Sequence, residues 1–306
     1  MKTGMRIPEL RSPYDKVDGL VYFGRMIDKI RLHAAGKLPS EYIPNLGAAR
    51  NFQSFDGRCC RFLNIDYLEL AEAVKAGSAE TDLLKWACNR GRKPSDWEIE
   101  VWNAFMQKQG WRDKGFRRLA ERKQEFGIAS DAVQTSFDFI DADEGRPLRF
   151  DRDPVWIQRE VKPTISISGL RSAYDQIGGI FHFPRMLDKI RLAAVGRLPA
   201  EWLEAKGAPN GFDGLCCRFL CVDYAALQER ALSGHKDEEV FEWALSNGRR
   251  PSDEEIEIWN DYLSKRCWRD EYTNRLHFRL QQAGMPIEAA LTMFDFIDLD
   301  EGHAPR

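Results

Sequence analysis

Apolar residues follow helical spacing over a short stretch near the amino terminus. The apolar positions lie three or four residues apart, at Phe23, Met26, Ile27, Ile30 and Ala34. Gly36 stands where such a helix would end. A similar stretch recurs in the second half with Pro184 in its first turn, where no backbone N–H is needed. The pattern predicts helices over about residues 24–35 and 184–195.

Other start and stop residues predict further helices in the first half. They cover residues 58–63, 66–77, 81–90, 95–110 and 111–126, followed by a last helix from about Ala129. Ser95 and Glu98 can bond each other's backbone N–H groups as a capping box, and Ser252 and Glu255 repeat this pattern. Little strand signal is present outside residues 164–168, so the chain is predicted to be mainly α-helical.

The chain contains the same pattern twice. Residues 10–41 match residues 170–201 at 19 of 32 positions, where composition alone predicts roughly one in fifteen. After three extra residues in the first copy, between Ala49 and Phe55, the offset falls from 160 to 157 and the match continues. Copies of about 135 residues can bury their own cores. We therefore predict two tandem copies of one small multi-helix domain, at residues 1–145 and 170–306, joined by a linker at 146–169.

Composition narrows the class of protein. The 45 basic and 48 acidic residues leave a formal charge of −3, which favours neither nucleic acid nor an anionic membrane as a partner. No stretch approaches the roughly 20 apolar residues of a membrane span, and the first residues lack the apolar core of a signal peptide. Of the seven cysteines, only the adjacent pairs Cys59-Cys60 and Cys216-Cys217 occur in both copies, which is no disulfide framework. We expect a cytoplasmic protein with reduced thiols and no nucleic-acid or membrane partner.

Several longer motifs carry a family resemblance. The stretches are RSPYDK, GRMIDKIRLHAAGKLP, FDGRCCRFL, GRKPSDWEIEVWN and FDFIDADEG. Both copies resemble, nearly end to end, a bacterial domain-of-unknown-function family, number 5069. The resemblance implies a bacterial protein built from a duplicated domain. It brings with it no activity, cofactor or catalytic residue.

Four charged residues of the first predicted helix recur in the second copy. They are Arg25, Asp28, Lys29 and Arg31, repeated as Arg185, Asp188, Lys189 and Arg191. At 100° per residue, Arg25, Asp28 and Lys29 lie opposite the Met26 and Ile30 side. An exposed face would not need the same charges twice, so we expect both sides of the helix to be covered, by protein or by ligand.

Two interpretations of these charges remain open. In the structural one, Asp28 pairs with Arg25 or Arg31, and the acidic residues Asp138, Asp141 and Asp143 neutralise the remaining cations. In the functional one, Arg25 and Lys29, joined by Arg92 or its counterpart Arg249, hold a carboxylate or phosphate through the guanidinium fork. The three cations against one anion on the helix motivate the second interpretation.

Signals for other chemistry are weak. The cysteine pairs lack the spacing and partners of a metal site, which favours buried thiols over a thiol whose pKa is lowered beside Arg61. None of the five histidines has a histidine counterpart, which excludes a histidine site shared by both copies. The acidic run after Asp141 departs from a calcium loop in its glycine and its twelfth position. We therefore predict no metal and no cofactor.

The sequence leaves the function between two classes. The first is a non-catalytic binding or interaction module for a small anionic ligand or a protein partner. The alternative is a cofactor-free enzyme acting on an anionic small molecule, in which Arg25 and Lys29 hold charge and Asp28 or Asp56 is the general base. Whether the protein is an enzyme stays open at this point.

Overall fold

The computed structural model describes residues 6–47, 54–150 and 163–304. The chain divides into two compact units, Met1–Asp153 and Pro154–Arg306, which we call repeat 1 and repeat 2. Part of the predicted linker, residues 151–162, and the predicted site of the three extra residues lie largely outside the described residues. Within the described ranges, no helix has the length and apolar character needed to cross a membrane.

Repeat 1 begins with a two-stranded antiparallel hairpin and continues through helices. Its elements are β1 Lys16–Val17, β2 Leu20–Val21, α1 Phe23–Ala34, a 3-10 helix Ser40–Asn45, α2 Phe55–Leu63, α3 Tyr67–Lys75, α4 Glu80–Arg90, α5 Asp96–Lys108, α6 Phe116–Phe126 and α7 Ser136–Asp143. The mainly α-helical fold class and the duplication are both confirmed.

Repeat 2 has the same order of elements, except that an α-helix replaces the first 3-10 helix and another 3-10 helix precedes the last helix. They are β3 Gln176–Ile177, β4 Ile180–Phe181, α8 Phe183–Ala194, α9 Ala200–Leu203, α10 Phe212–Leu220, α11 Tyr224–Leu232, α12 Asp237–Asn247, α13 Asp253–Ser264, α14 Thr273–Gln282, a 3-10 helix Ile287–Ala289 and α15 Met293–Glu301. Residues 164–168, where an extended segment was predicted, form no strand, and Thr164 donates its backbone N–H to Asp300 O at 3.0 Å.

Helix α1 is the centre of repeat 1. It packs against α2, α3 and α4, and Met26 and Ile27 are fully buried. The opposite side is covered as well, because Arg25 and Lys29 are 2% and 3% exposed. The prediction that both sides of this helix are occupied is therefore confirmed, and protein supplies the cover.

Polar side chains fix the ends of several elements. Ser95 and Glu98 form the predicted capping box, with the Ser95 hydroxyl accepting from Glu98 N at 3.3 Å and the Glu98 carboxylate accepting from Ser95 N at 2.8 Å. Asn103 bonds the hairpin backbone, donating to Gly19 O at 2.8 Å and accepting from Val21 N at 3.1 Å. Asn260 does the same for the second hairpin. These contacts give Asn103 and Asn260 a structural role.

Two predicted helix starts are wrong. Helix α6 begins at Phe116 rather than at residue 111, because Asp113 accepts from the backbone N–H groups of Gly110 and Gly115 and closes a turn first. The last helix begins at Ser136 rather than near Ala129, because the buried Thr135 caps it. In repeat 2, Pro286 precedes only the short 3-10 helix, and Thr292 caps α15. Local bonds from side chains to the backbone, which a hydrophobic pattern does not show, decide both starts.

Candidate functional site

A buried ion pair joins the first and last helices of each repeat. Arg25 of α1 donates to Glu144 at 3.0 Å and to Arg11 O at 2.6 Å, and its second fork nitrogen donates to the other Glu144 oxygen. The Tyr42 hydroxyl also donates to Glu144, at 2.8 Å. Burial acts to raise the pKa of Glu144, but the hydrogen bond and charge of Arg25, together with Arg146, hold that pKa below its usual value. Glu144 is thus ionised and fully occupied.

Repeat 2 contains the same pair. Arg185 donates to Glu301 at 2.7 Å and to Arg171 O at 2.7 Å. The indole N–H of Trp202 replaces the Tyr42 hydroxyl and donates to Glu301 at 3.1 Å. A bidentate arginine with both partners sealed from water suits a structural pair.

A second buried pair lies one turn further along α1. The Lys29 ammonium bonds Asp56, and the Tyr22 hydroxyl donates to the same carboxylate at 2.9 Å while accepting from Lys29 at 3.0 Å. Gly47 N donates to the remaining oxygen of Asp56 at 3.1 Å. Burial lowers the pKa of Lys29 from its usual value, partly offset by Asp56. Asp56 is therefore committed to internal partners.

In repeat 2 a histidine takes the place of the tyrosine. His182 Nε2 lies 2.8 Å from Asp213 Oδ1, and Lys189 bonds the same carboxylate. Burial acts against ionisation of Asp213, but the charge of Lys189 and the hydrogen bond from His182 hold its pKa well below the usual range. A carboxylate so stabilised is a weak base. An enzymatic mechanism that uses Asp56 or its counterpart Asp213 as general base is not favoured by these contacts.

The residue that precedes the first helix of each repeat, α1 or α8, has a strained backbone. Tyr22 and His182, the residues that precede the helices, have φ of 70° and 71°. Side chains other than glycine and asparagine rarely adopt this left-handed region, at a cost of about 1–3 kcal/mol. Each side chain bonds the buried carboxylate, so the strain places a polar group beside the Lys29 or Lys189 ammonium.

The other predicted site residues of α1 belong to a separate network. Arg11 donates to Asp28 at 2.7 and 2.8 Å and to Glu80 at 2.8 Å, and Arg31 donates to Glu80 at 3.1 Å. Asp28 therefore pairs with Arg11, not with Arg25 or Arg31 as expected. In repeat 2, Arg171 bonds Asp188, and Arg171 and Arg191 bond Asp237.

The acidic residues predicted to neutralise α1 have other roles. Asp138 accepts from the Tyr14 hydroxyl at 2.7 Å, and Asp141 accepts from the Ser12 hydroxyl at 2.7 Å. Glu144, which sequence reasoning did not select, neutralises Arg25 instead. The acidic end of repeat 1 therefore does neutralise a cation of α1, but Glu144 makes the ion pair.

Arg92 and Arg249 also lie apart from α1's buried pairs. Arg92 donates to Glu98 at 2.5 Å and to Phe62 O at 2.7 Å, and its guanidinium lies 4.9 Å from the Phe62 ring centroid. Phe62 stacks in turn on the buried Trp102. Arg249 repeats these contacts with Glu255 and Phe219. These arginines tie α2 to α5, and α10 to α13, at positions that do not line the clefts described next.

Each repeat has a cleft over the buried pairs. Cleft 1, of about 830 Å³, is bordered by α1, the 3-10 helix, α2, α6 and α7 of repeat 1. Cleft 2, of about 460 Å³, occupies the equivalent place in repeat 2. Arg25, Lys29 and Glu144 line cleft 1, and Arg185, Lys189 and Glu301 line cleft 2. The structure thus brings Arg25 and Lys29 together at one cleft and leaves Asp28, Arg31 and Arg92 outside its lining.

Two arginines of α6 complete cleft 1. Arg118 is exposed and Arg122 half-buried, and neither makes a hydrogen bond or ion pair with the described residues. The Arg122 guanidinium lies 4.6 Å from the Phe139 ring centroid. Burial and the like charge of Arg118 lower the pKa of Arg122 from its usual value, partly offset by Asp143 and Glu125, although arginine remains charged at neutral pH.

Cleft 2 has the same pair of arginines on α14. Arg275 and Arg279 line it at the positions of Arg118 and Arg122. No hydrogen bond to a carboxylate is made by either guanidinium within the described ranges. Sequence reasoning missed all four arginines. The available signal was their recurrence at the offset of 157 with a spacing of four residues, which places both on one face of a helix.

The cysteines and acidic clusters do not form a reactive or metal site. Burial raises the pKa of Cys59 well above its usual value and that of Cys60 to about 12. The alternative of a lowered thiol pKa beside Arg61 is therefore wrong. Across residues 6–47, 54–150 and 163–304, no group of three or more His, Cys, Asp or Glu side chains could hold a metal ion.

Comparison with known families identifies one match. Residues 7–146 and residues 167–303 each match the profile of a family described as "Domain of unknown function (DUF5069)". No curated protein matches the sequence. The two matched ranges together cover most of the chain, in the two repeats.

Proposed function

The chain belongs to the DUF5069 family in two copies, and we propose that each copy is a non-catalytic module that binds a small anionic ligand in its cleft. The observation that carries the proposal is the arginine pair at each cleft. Arg118 and Arg122 line cleft 1 and Arg275 and Arg279 line cleft 2, with no carboxylate partner among the described residues. An anion would supply that partner.

The buried pairs have a supporting role in this proposal. Arg25 is neutralised by Glu144, and Lys29 by Asp56, so neither cation is left to attract a ligand by itself. Because both pairs are sealed, they hold the base of the cleft rigid. A rigid base and an arginine fork at the wall lower the cost of fixing a carboxylate or phosphate.

The electrostatics of Arg122 favour a negatively charged occupant. Burial and Arg118 act against its charge more strongly than Asp143 and Glu125 support it, and an anion bound between the two guanidinium groups would offset both effects. Cleft volumes of about 830 and 460 Å³ fall in the range of small-molecule sites. The occupant is therefore proposed to be a small molecule rather than a protein surface.

The free thiols support a cytoplasmic setting for this role. All seven cysteines lie within the described residues, where none of them forms a disulfide, and five of them are buried. Reduced thiols are the normal state of cysteine in a reducing compartment. We propose a cytoplasmic, bacterial binding protein on this basis and on that of the family resemblance.

A thermal-shift titration tests the proposal. Inorganic phosphate, citrate and a nucleoside monophosphate are titrated against the full chain, and a ligand at about 100 times its Kd should add roughly 2.7 kcal/mol to the stability of the repeat that binds it. Arg118→Ala should remove the stabilisation that comes from ligand binding in cleft 1. Arg117→Ala is the matched control, because Arg117 is an exposed neighbour on α6 that does not line the cleft.

The outcome separates the cleft from general charge effects. Loss of stabilisation in Arg118→Ala with retention in Arg117→Ala supports the proposal. Equal losses in both variants, or no stabilisation by any anion tested, would contradict it.

A further inference from the structure

The two clefts share their charged residues but differ in the side chains around them. Gly115, Gln109 and Ser136 of cleft 1 correspond to Tyr272, Arg266 and Met293 of cleft 2. These larger side chains accompany the smaller volume of about 460 Å³ against 830 Å³. An occupant that fills cleft 1 is therefore too large for cleft 2.

The replacement of Tyr22 by His182 changes the hydrogen-bonding capacity of the cleft base. Tyr22 has one polar atom, and its hydroxyl both donates to Asp56 and accepts from Lys29. His182 has two ring nitrogens, of which Nε2 bonds Asp213. The other, Nδ1, is buried and has no hydrogen-bond partner among the described residues.

The chemistry of Nδ1 follows from its neighbours. A carboxylate accepts hydrogen bonds, so the proton of the neutral ring lies on Nε2 and Nδ1 presents a lone pair. Burial and the cations Lys189 and Arg185 lower the pKa of His182 to about 4, with Asp213 acting in the opposite direction. At neutral pH the ring is uncharged, and Nδ1 is a hydrogen-bond acceptor.

An unsatisfied buried acceptor is unusual in a folded protein. Native structures pair the large majority of such atoms, and each exception calls for an explanation, of which a bound group that the structure does not contain is one. His182 is 1% exposed and lines cleft 2 beside the arginine pair. Tyr272, whose ring lies 3.9 Å from the Arg266 guanidinium, supplies an aromatic wall to the same cleft.

We propose that cleft 2 binds a smaller anionic ligand than cleft 1, and that this ligand carries an N–H or O–H donor for His182 Nδ1. The inference rests on the proposed anion-binding function and adds its selectivity. The anionic group bonds Arg275 and Arg279, and the donor completes the coordination of His182. The duplicated domain then has two modules with different ligands.

Matched probes test the donor requirement. The full chain, labelled with ¹⁵N, is titrated with 4-hydroxybenzoate and 4-methoxybenzoate, and with indole-3-acetate and 1-methylindole-3-acetate; within each pair a methyl group replaces the donor hydrogen. At least one donor-bearing member should bind cleft 2 about tenfold or more tightly than its blocked partner and shift the His182 Nδ1 resonance. His182→Tyr should abolish this difference, and Tyr22→His should create one at cleft 1.

Two results would overturn the inference. They are equal binding of the blocked and unblocked members, and absence of any change at His182 Nδ1 across the series. A parallel titration with inorganic phosphate on wild type and Arg275→Ala tests the proposed function separately. If phosphate binding depends on Arg275 but the probe pairs do not differ, only the selectivity is refuted; if phosphate binding is absent, the anion-binding function itself fails.

Discussion

The buried histidine of repeat 2 makes a prediction about stability and pH. His182 has a pKa of about 4 in the folded protein, against roughly 6.5 for an unperturbed histidine. Between these values the unfolded chain binds a proton that the folded chain does not. Stability from this residue is therefore present in full above about pH 6.5 and is lost as the pH falls toward 4.

The size of the effect follows from the two pKa values. The full difference corresponds to about 3 kcal/mol, and about 2 kcal/mol of it is lost between pH 7 and pH 5. In a domain of this size, 1 kcal/mol shifts the melting temperature by about 3–4 °C. Repeat 2 should thus melt about 5–8 °C lower at pH 5 than at pH 7 because of His182.

The matched variant is His182→Tyr, which installs the residue of repeat 1. The pKa of Tyr22 is raised well above its usual value by burial, so a tyrosine does not titrate in this pH range. Differential scanning calorimetry of the full chain at pH 7, 6 and 5 compares the two proteins. The other four histidines are present in both proteins, so their contribution to stability cancels in the comparison.

The variant should show the smaller loss of stability with acid. It should also be the more stable protein at neutral pH, because it removes an unsatisfied buried nitrogen. If wild type and His182→Tyr lose equal stability between pH 7 and pH 5, the proposed burial and pairing of His182 are refuted.

Three further predictions concern side chains that are not proposed to bond a ligand. Lys29→Met should lower the free energy of unfolding by about 3–5 kcal/mol, because Asp56 stays buried without its cation. In urea unfolding, the double variant Lys29→Met with Asp56→Asn should recover much of this loss. Absence of any recovery would contradict a paired role for the two residues. Cys221→Asn should stabilise repeat 2 by up to about 1 kcal/mol in calorimetry. Cys221 and its counterpart Asn64 both have φ of 54°, and asparagine tolerates this backbone conformation better than cysteine. Destabilisation of repeat 2 would argue against this reason. Iodoacetamide at neutral pH should label the exposed Cys221 first and the buried Cys59 only on unfolding; rapid labelling of Cys59 would be inconsistent with its raised pKa.

The architecture of each repeat could be predicted because its signals are local or repeated. Helical spacing and helix-end residues located α1 to within one residue, and the capping box located the start of α5. The start of α6 could not be found this way, because the turn that delays it depends on how Asp113 folds back onto Gly110. Helix ends set by side chains that fold back on the backbone are not visible in a hydrophobic pattern.

The site was only partly predictable for a similar reason. Recurrence in both copies identified Arg25 and Lys29 as residues under constraint, but it does not reveal their partners. Glu144 lies 119 positions from Arg25 in the sequence, and only the packing of α7 against the rest of the repeat brings them together. Arg118 and Arg122 were overlooked because they lie in a highly charged helix, where a functional pair resembles an ordinary solvated face.

The distinction between structural and ligand-binding arginines is the central claim, and arginine side-chain NMR tests it most directly. The ¹⁵Nε signals of the full chain are followed during titration with the anion that stabilises it most. We predict that the signals of Arg118, Arg122, Arg275 and Arg279 shift in a saturable way, while Arg117 does not respond. Saturable shifts confined to arginines outside the clefts, or none at all, would contradict the account.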